Sequence, residues 1–183
     1  WAFYTMAKSL LHENKAPWKN LIISGWCLAP DKSKMSKSKG NVITPNSLIE
    51  EKGSDAIRYW AANSQLGADT AYNEDLVKIG NKLINKLYNA SKFVAGNFKN
   101  LIQKPTNLSR DIKKITEDAD LWIISKLQKT IKNSGLAFDK FEYSKARSII
   151  ENFFWNDFCD NYLELIKIRS YGLNANKLEN IEL

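Results

Sequence analysis

Hydrophobic positions repeat with a helical period through most of the second part of the chain. From Asn73 onward, apolar residues recur every three or four positions, which predicts three amphipathic helices joined by polar links. The apolar stripe of the first helix consists of Leu76, Ile79, Leu83, Leu87, Ala90 and Val94. Because each helix has its own stripe to bury, the pattern predicts an antiparallel helical bundle, with residues 97–115 as a polar connection.

The other two helices of this bundle have recognisable ends. The second is predicted to begin within residues 116–120 and to end before Gly135. The third is predicted from Glu142 to Tyr171, with Gly172 as its stop. Its inward residues are expected to be Ala146, Ile149, Ile150, Phe153, Phe154, Phe158, Tyr162, Leu165 and Ile166. Trp155 follows the same helical spacing, so we expect it to make core or helix contacts rather than to stack on a base.

Residues 1–72 have a mixed pattern. An apolar, aromatic helix is predicted over Trp1–Leu11, and Leu21–Ser24 has the β-branched character of a short buried strand. A polar loop follows, which is where open α/β sheets place their ligands. Two short helices are then predicted, over Asn46–Lys52 and from Ser54. We therefore expect a mainly α chain, with an α/β part at 1–72 and a helical part at 73–183.

The polar loop has the composition of a polyphosphate-binding segment. Residues 34–41 contain three lysines, two serines and a glycine within Lys-Met-Ser-Lys-Ser-Lys-Gly-Asn. Ammonium groups neutralise phosphate charge, hydroxyl and backbone N–H groups bond phosphate oxygens, and glycine keeps the backbone adaptable. A solvated lysine-rich turn would explain the charges but not the apolar Met35. Composition alone thus predicts an anion-binding loop.

Charge and cysteine content narrow the class of protein further. The formal net charge is +7, and residues 1–39 hold seven lysines against two acids, so most of the excess lies around the loop. This favours a local phosphate site with modest attraction to nucleic acid. Cys27 and Cys159 are expected to be reduced and buried, and the single His12 suits a helix end rather than a metal site. No apolar run approaches the roughly 20 residues of a membrane span, so we expect a cytoplasmic chain with no membrane partner.

The order of residues, beyond their composition, carries a resemblance. Lys34-Met35-Ser36-Lys37-Ser38, continued by Lys39-Gly40-Asn41, resembles the second signature sequence of class I aminoacyl-tRNA synthetases. Residues 53–60 look like the sequence that follows this loop in the members specific for valine, isoleucine and leucine. Residues 119–127 are similar to the opening of their anticodon-binding domain, and residues 153–164 are most similar to the valine-specific members. Asn161 stands where the family usually has Trp.

The resemblance implies a fold, a reaction and a set of site residues. It implies that residues 1–72 are the end of a Rossmann-like catalytic domain and residues 73–183 the first part of an anticodon-binding bundle. Lys37 would engage the leaving phosphates of ATP with support from Lys34, and Met35 would border the adenine. Ser36 and Ser38 complete the ATP-binding set. The implied partners are ATP with Mg²⁺ as a substrate complex, valine, and the tRNA for valine, with no tightly bound cofactor and no metal ligands in this chain.

Two alternatives stay open at this point. Within the enzyme class, the chain could come from an isoleucine- or leucine-specific member. In a different class, it could be a non-catalytic RNA-binding helical module. The other class I signature, two histidines flanking a small apolar pair, is missing from the sequence, and Trp1 does not resemble a natural start. We therefore expect an excerpt of a longer enzyme that is inactive by itself.

Overall fold

The computed structural model describes residues 1–98 and 114–171, and most of these residues are helical, as expected. A π-helical segment, Phe153–Tyr162, joins the last two α-helices without a break. Within the described ranges, no helix is both long enough and apolar enough to cross a membrane. The α-helices are α1 (Ala2–Glu13), α2 (Pro45–Lys52), α3 (Ser54–Ala62), α4 (Glu74–Phe98), α5 (Asp118–Asp139), α6 (Tyr143–Asn152) and α7 (Leu163–Ser170).

Two short parallel strands hold the start of the lysine-rich loop. They are β1 (Cys27–Leu28) and β2 (Thr70–Ala71), and Leu28 pairs with Ala71. Gly25 allows the two chain segments to approach, because a Cβ at this position would lie 2.1 Å from the carbonyl oxygen of Ala68. The sheet thereby fixes residue 28, six positions before Lys34, against the segment that leads into α4.

The strand predicted over Leu21–Ser24 is wrong. These residues belong to no strand, and Ile22 and Ile23 are 44% and 65% exposed. β-Branched residues favour an extended backbone, but a strand forms only where a neighbour completes its hydrogen bonds, and in the described part of the chain that neighbour is β2 beside β1. The prediction that Cys27 is buried is also wrong. Its side chain is exposed, since a two-stranded sheet leaves one face of β1 uncovered.

Helix α4 packs tightly against α3, although the predicted stripe is only partly correct. A Cβ on Gly80 would lie 2.9 Å from the ring of Tyr59, so glycine permits the two helices to cross closely. Val77 is fully buried at this crossing, whereas the predicted Ile79 is 42% exposed. The inward face therefore passes through residues 77 and 80, because contact with α3 selects one side of an apolar helix surface that is wider than a single stripe. Of the predicted connection at 97–115, residues 99–113 lie outside the described residues.

The sequence predicts that helix α5 ends before Gly135, and this prediction is wrong. The helix continues to Asp139, and the small residues Ser134 and Ala137 are buried in its last turns. Glycine is common just after a helix end, but it does not by itself end a helix. Here packing against α6 stabilises another helical turn beyond Gly135. The chain then turns at Phe141, whose φ is +59°, into α6.

The third predicted helix is continuous, but its geometry changes along its length. Ala146 and Cys159 are buried as expected, while Leu165, predicted inward, is 65% exposed. Ile150, also predicted inward, is 44% exposed, whereas Ile166 is half-buried. The wider turns of the π-helical segment rotate the residues that follow it, such as Leu165, around the helix axis, but Ile150 precedes the segment. The predicted stripe is therefore only partly correct on both sides of the segment. The helix ends at Ser170, and the predicted stop, Gly172, lies outside the described residues.

Candidate phosphate-binding loop

The loop begins with a tight hairpin that returns the chain onto β1. The N–H of Lys32 donates to the carbonyl of Ala29 at 2.8 Å, and the N–H of Ala29 donates to the carbonyl of Ser33 at 3.0 Å. Lys32 adopts a positive φ of 64°, an unusual conformation for a residue with a side chain. An antiparallel bridge between Leu28 and Lys34 closes the hairpin. Lys34 is therefore anchored through its backbone to the sheet.

Asp31 stabilises the turn of this hairpin. Its Oδ1 accepts a hydrogen bond from the N–H of Ser33 at 3.0 Å. Bonds from the backbone and side chain of Ser33, with a smaller contribution from the charge of Lys39, lower the pKa of the Asp31 carboxyl below its ordinary value. Asp31 is thus ionised at neutral pH and is engaged with the turn, not with Lys34 or Lys37.

The second half of the loop is a single turn of 3₁₀-helix, Lys37–Lys39. Ser36 caps it, since its Oγ accepts from the N–H of Lys39 at 3.3 Å and lies 3.2 Å from the Oγ of Ser38. Gly40 ends the turn with a φ of +66°, which glycine adopts without steric cost. The turn brings the side chains of residues 36–38 onto one short, exposed segment.

Asn41 joins the two halves of the loop. Its Oδ1 accepts from the N–H of Ser36 at 2.9 Å, and its Nδ2 donates to the Oγ of Ser33 at 2.9 Å and to the carbonyl of Lys34 at 3.2 Å. Asn41 is part of the signature pattern, but the sequence gives no sign that it organises the loop. A side-chain amide can serve donor and acceptor at once, which is why this position suits Asn.

The five predicted site residues lie together, with different exposure. Lys34, Lys37 and Ser38 are exposed, and Met35 and Ser36 are half-buried. In the described part of the chain, neither Lys34 nor Lys37 forms an ion pair with a carboxylate. Lys34 and Lys37 are therefore uncompensated ammonium groups, as an anion site requires, and Lys32 and Lys39 likewise form no ion pair in the described residues.

Trp26 is a neighbour of the site that the sequence does not reveal. The Nζ of Lys34 lies 4.6 Å from the centre of the Trp26 ring, a cation–π distance. The backbone of Trp26 is fixed on both sides, because its N–H donates to Oδ1 of Asp69 at 2.7 Å and its carbonyl accepts from the N–H of Thr70 at 2.8 Å. The Lys34 side chain thus lies over an aromatic ring whose backbone is fixed, although the ring itself is largely exposed.

Among the described residues, no carboxylate or histidine cluster accompanies the loop. Across residues 1–98 and 114–171, no group of three or more His, Cys, Asp or Glu side chains could hold a metal ion. His12 lies in the last turn of α1 and is exposed, as expected.

The helices after α4 carry a second set of polar and aromatic contacts. Tyr162 donates to Oδ1 of Asp120 at 3.0 Å, and Arg169 pairs with the same oxygen at 2.5 Å. Burial, and then the bond to Asp120, raises the pKa of Tyr162. Phe158 stacks on Tyr162 with ring centres 6.0 Å apart, while half-buried Trp155 lies below the ammonium of Lys86. These aromatic residues make helix contacts, as the sequence predicts.

Comparison with known proteins gives two family matches along the chain. Residues 1–73 match the family of class I tRNA synthetases that covers the I, L, M and V enzymes. Residues 120–182 match the anticodon-binding domain of tRNA ligases. The chain belongs to the class I tRNA synthetases.

Within this class, the chain is similar to valine–tRNA ligases. It is 56% identical over 179 residues to the valine–tRNA ligase of Rickettsia prowazekii (strain Madrid E). This alignment covers 97% of this chain and 22% of that protein. It is 51% identical over 181 residues to the valine–tRNA ligase of Ehrlichia ruminantium (strain Gardel), covering 99% of this chain and 22% of the relative. The chain thus spans about a fifth of the length of these relatives.

A solved structure shares the fold. The Agrobacterium radiobacter K84 agnB2 LeuRS, in its ternary complex with tRNA and LeuAMS, superposes with a TM-score of 0.68 at 18% sequence identity. The match covers 94% of this chain and 21% of that one. At this identity, the likeness establishes the arrangement of the helices and strands only.

Proposed function

We propose that this chain is a segment of a valine–tRNA ligase, in which it supplies the loop that stabilises the leaving phosphates and part of the tRNA-binding helices. Residues 1–72 would be the end of the Rossmann-like catalytic domain, and residues 73–183 the first part of an antiparallel anticodon-binding bundle. The identity to valine–tRNA ligases along nearly the whole chain supports the choice of amino acid. It does not favour the isoleucine- or leucine-specific alternatives or a non-catalytic RNA-binding module.

The reaction would be the activation of valine followed by its transfer to tRNA. A carboxylate oxygen of valine attacks the α-phosphorus of ATP. The bond from the α-phosphorus to the bridging oxygen breaks, and pyrophosphate leaves with that electron pair. The Mg²⁺ that accompanies ATP neutralises part of the charge on the phosphates. The ribose hydroxyl at the end of the tRNA then attacks the valyl carbonyl and displaces AMP.

The observation that carries the proposal is the pair of uncompensated ammonium groups on one organised loop. As the α–β bond breaks, negative charge grows on the departing phosphates, so cations that are already in place stabilise the transition state more than the ground state. Lys37 would act most directly, with Lys34 in support. Ser36, Ser38 and the backbone of Met35 would border the nucleotide.

The proposal is tested by valine-dependent exchange of labelled pyrophosphate into ATP in the complete ligase. Replacing Lys37 with Ala should lower the exchange rate by roughly 10²- to 10³-fold, typical of losing one preorganised electrostatic partner. Lys39→Ala is the matched control, since it removes a charge from the same turn and should change the rate by less than about threefold. Equal losses in both variants, or exchange supported better by isoleucine or leucine than by valine, would refute the assignment.

The chain by itself should form no valyl-adenylate, because it carries only one of the two signature sequences. It should still bind tRNA weakly through its lysines, with poor discrimination between valine and other tRNAs, since phosphate contacts carry no sequence information. Titration at low and physiological salt checks this, because phosphate binding falls steeply with salt. Salt-insensitive binding selective for the valine tRNA would contradict the expectation.

A further inference from the structure

A compact group of polar side chains links α3 to α6. The hydroxyl of Tyr59 donates to both carboxylate oxygens of Glu151, at 2.9 and 3.0 Å. Nη2 of Arg147 donates to Oδ1 of Asn63 at 2.7 Å, and the hydroxyl of Ser144 donates to the carbonyl of Asn63 at 3.0 Å. These five residues form what is called here the α3–α6 joint. They connect the segment that follows the lysine loop to the segment that matches the anticodon-binding family.

Arg147 lies at the centre of this joint and uses three parts of its guanidinium. Nη1 bonds Glu151, Nη2 bonds Asn63, and the flat face lies over the ring of Tyr59, with the central carbon 4.6 Å from the ring centre. The side chains of Arg147 and Glu151 are only 19% and 18% exposed, so water screens these contacts weakly. Only a planar, forked cation can make all three contacts at once.

The joint also fastens the end of α3. Helix α3 has no basic residue in its last turn, and Asn63 is its C-cap. Arg147 brings a positive charge to this end, where the helix dipole favours one, and Ser144 satisfies a carbonyl that the helix leaves unpaired. Burial, and then the bond to Glu151, raises the pKa of Tyr59, which keeps the phenol protonated as a donor.

A short series of hydrogen bonds connects α3 to the lysine loop. Nε1 of Trp60, on the turn of α3 that carries Tyr59, donates to the carbonyl of Ala71 at 3.3 Å. Ala71 pairs with Leu28 across the sheet, and Leu28 bridges Lys34. The orientation of α3 is therefore linked to the position of Lys34 through packed, hydrogen-bonded elements and not through a flexible connection.

We propose that the α3–α6 joint sets the orientation of the tRNA-binding helices relative to the lysine loop, with Arg147 as the positioning residue. This rests on the proposed function. Polar contacts are directional, so a joint made of them fixes an angle that apolar packing alone would leave adjustable. The step that depends on this angle is the transfer of valine to tRNA, because only that step needs the tRNA held by these helices to reach the adenylate on the catalytic side of the molecule. Activation of valine does not need it.

The test compares the two half-reactions in the complete valine–tRNA ligase. In Arg147→Met and in Tyr59→Phe, pyrophosphate exchange should stay within about twofold of the parent enzyme. The kcat for charging tRNA should fall by roughly five- to tenfold in Arg147→Met and less in Tyr59→Phe, since small misplacements of reacting groups have large kinetic effects. The KM for tRNA should change less than kcat. Tyr59→Phe keeps the ring and loses only the bonds to Glu151, so it decides the matter if Arg147→Met does not fold.

Arg147→Lys separates positioning from charge. Lysine keeps the positive charge at the end of α3 but lacks the planar fork that bonds Glu151 and Asn63 through separate nitrogens and the flat face that lies over Tyr59, so charging should stay at least threefold below the parent. Full recovery with lysine would overturn the proposal, as would a parallel loss of exchange and charging, or normal charging in both other variants. If the parent enzyme itself shows no valine-dependent exchange, the proposed function is contradicted. This outcome differs from those that contradict the role of the α3–α6 joint.

Discussion

Removal of the Asn41 side chain should release the lysine loop without unfolding the chain. Asn41 makes three hydrogen bonds, of 2.9, 2.9 and 3.2 Å, that hold the hairpin against the 3₁₀ turn. Each such bond contributes about 0.5–1.5 kcal/mol, and partial exposure at this site favours the lower half of that range. Asn41→Ala should therefore cost the closed loop about 1.5–3 kcal/mol, while the helices, which do not contact Asn41 through these bonds, keep their stability.

Amide hydrogen exchange of the full chain measures this effect directly. The N–H of Lys39 is bonded to Ser36 inside the 3₁₀ turn, and this acceptor remains in the variant, so its exchange rate reports the opening of the loop. A change of about 1.5–3 kcal/mol corresponds to roughly 10- to 150-fold faster exchange at Lys39. Amides in the middle of α4, such as that of Lys82, should not change.

Two further variants give the matched controls. Asn89→Ala removes an exposed amide from α4 and should leave the loop unchanged. Asn41→Asp keeps the acceptor for Ser36 and loses the two donated bonds, so its exchange rate should lie between those of the parent and Asn41→Ala. If Lys39 exchanges at the parent rate in Asn41→Ala, the three bonds do not hold the loop, and the role given to Asn41 is wrong.

Three other expectations follow from packing and titration. Gly80→Val should lower the free energy of unfolding in urea by about 1–3 kcal/mol, because its Cβ would already lie 2.9 Å from a ring on α3, whereas Gly96→Ala, with open space, should not destabilise the chain. Burial raises the pKa of Tyr162, so the folded state retains its phenol proton more strongly, and the free energy of unfolding should fall as pH rises above about 10. Tyr162→Phe should make that fall shallower; an unchanged pH dependence would contradict the role of this phenol. A thiol reagent should modify Cys27 within minutes and buried Cys159 only on unfolding, and rapid loss of both thiols would show that the helix around Cys159 opens readily.

The sequence predicts best where local order and chemistry coincide. The run from Lys34 to Asn41 identifies the loop, and the helical period identifies α4 and the helices after it. The features that the sequence does not predict depend on contacts with residues far away along the chain. Cys27, not Leu21, lies in a strand because Thr70 pairs with it, and Gly135 stays inside a helix because α6 covers that turn. No local pattern could predict either.

In the candidate site, too, local sequence predicts some residues and misses those that depend on the fold. Its lysines and serines could be named from the sequence, because the order of residues is specific to a family. The side chains that organise them could not. Trp26 reaches Lys34 only through the fold of the hairpin, and Arg147 meets Tyr59 across 88 positions of chain. Both contacts depend on the tertiary structure, and neither composition nor spacing predicts them.

The π-helical segment Phe153–Tyr162 has a consequence for changes in chain length. A π-helical turn takes in more residues than an α-helical turn, so this segment holds surplus residues within an unbroken helix. A single-residue deletion here can be absorbed by tightening one turn, whereas the same deletion in α5 would have to break hydrogen bonds or shift the whole helix. Because the missing residue is taken from the wider turn, the residues after it keep their places around the helix axis, and Arg169 stays beside Asp120. The segment can therefore lose a residue without changing the face that the last helix presents to α5.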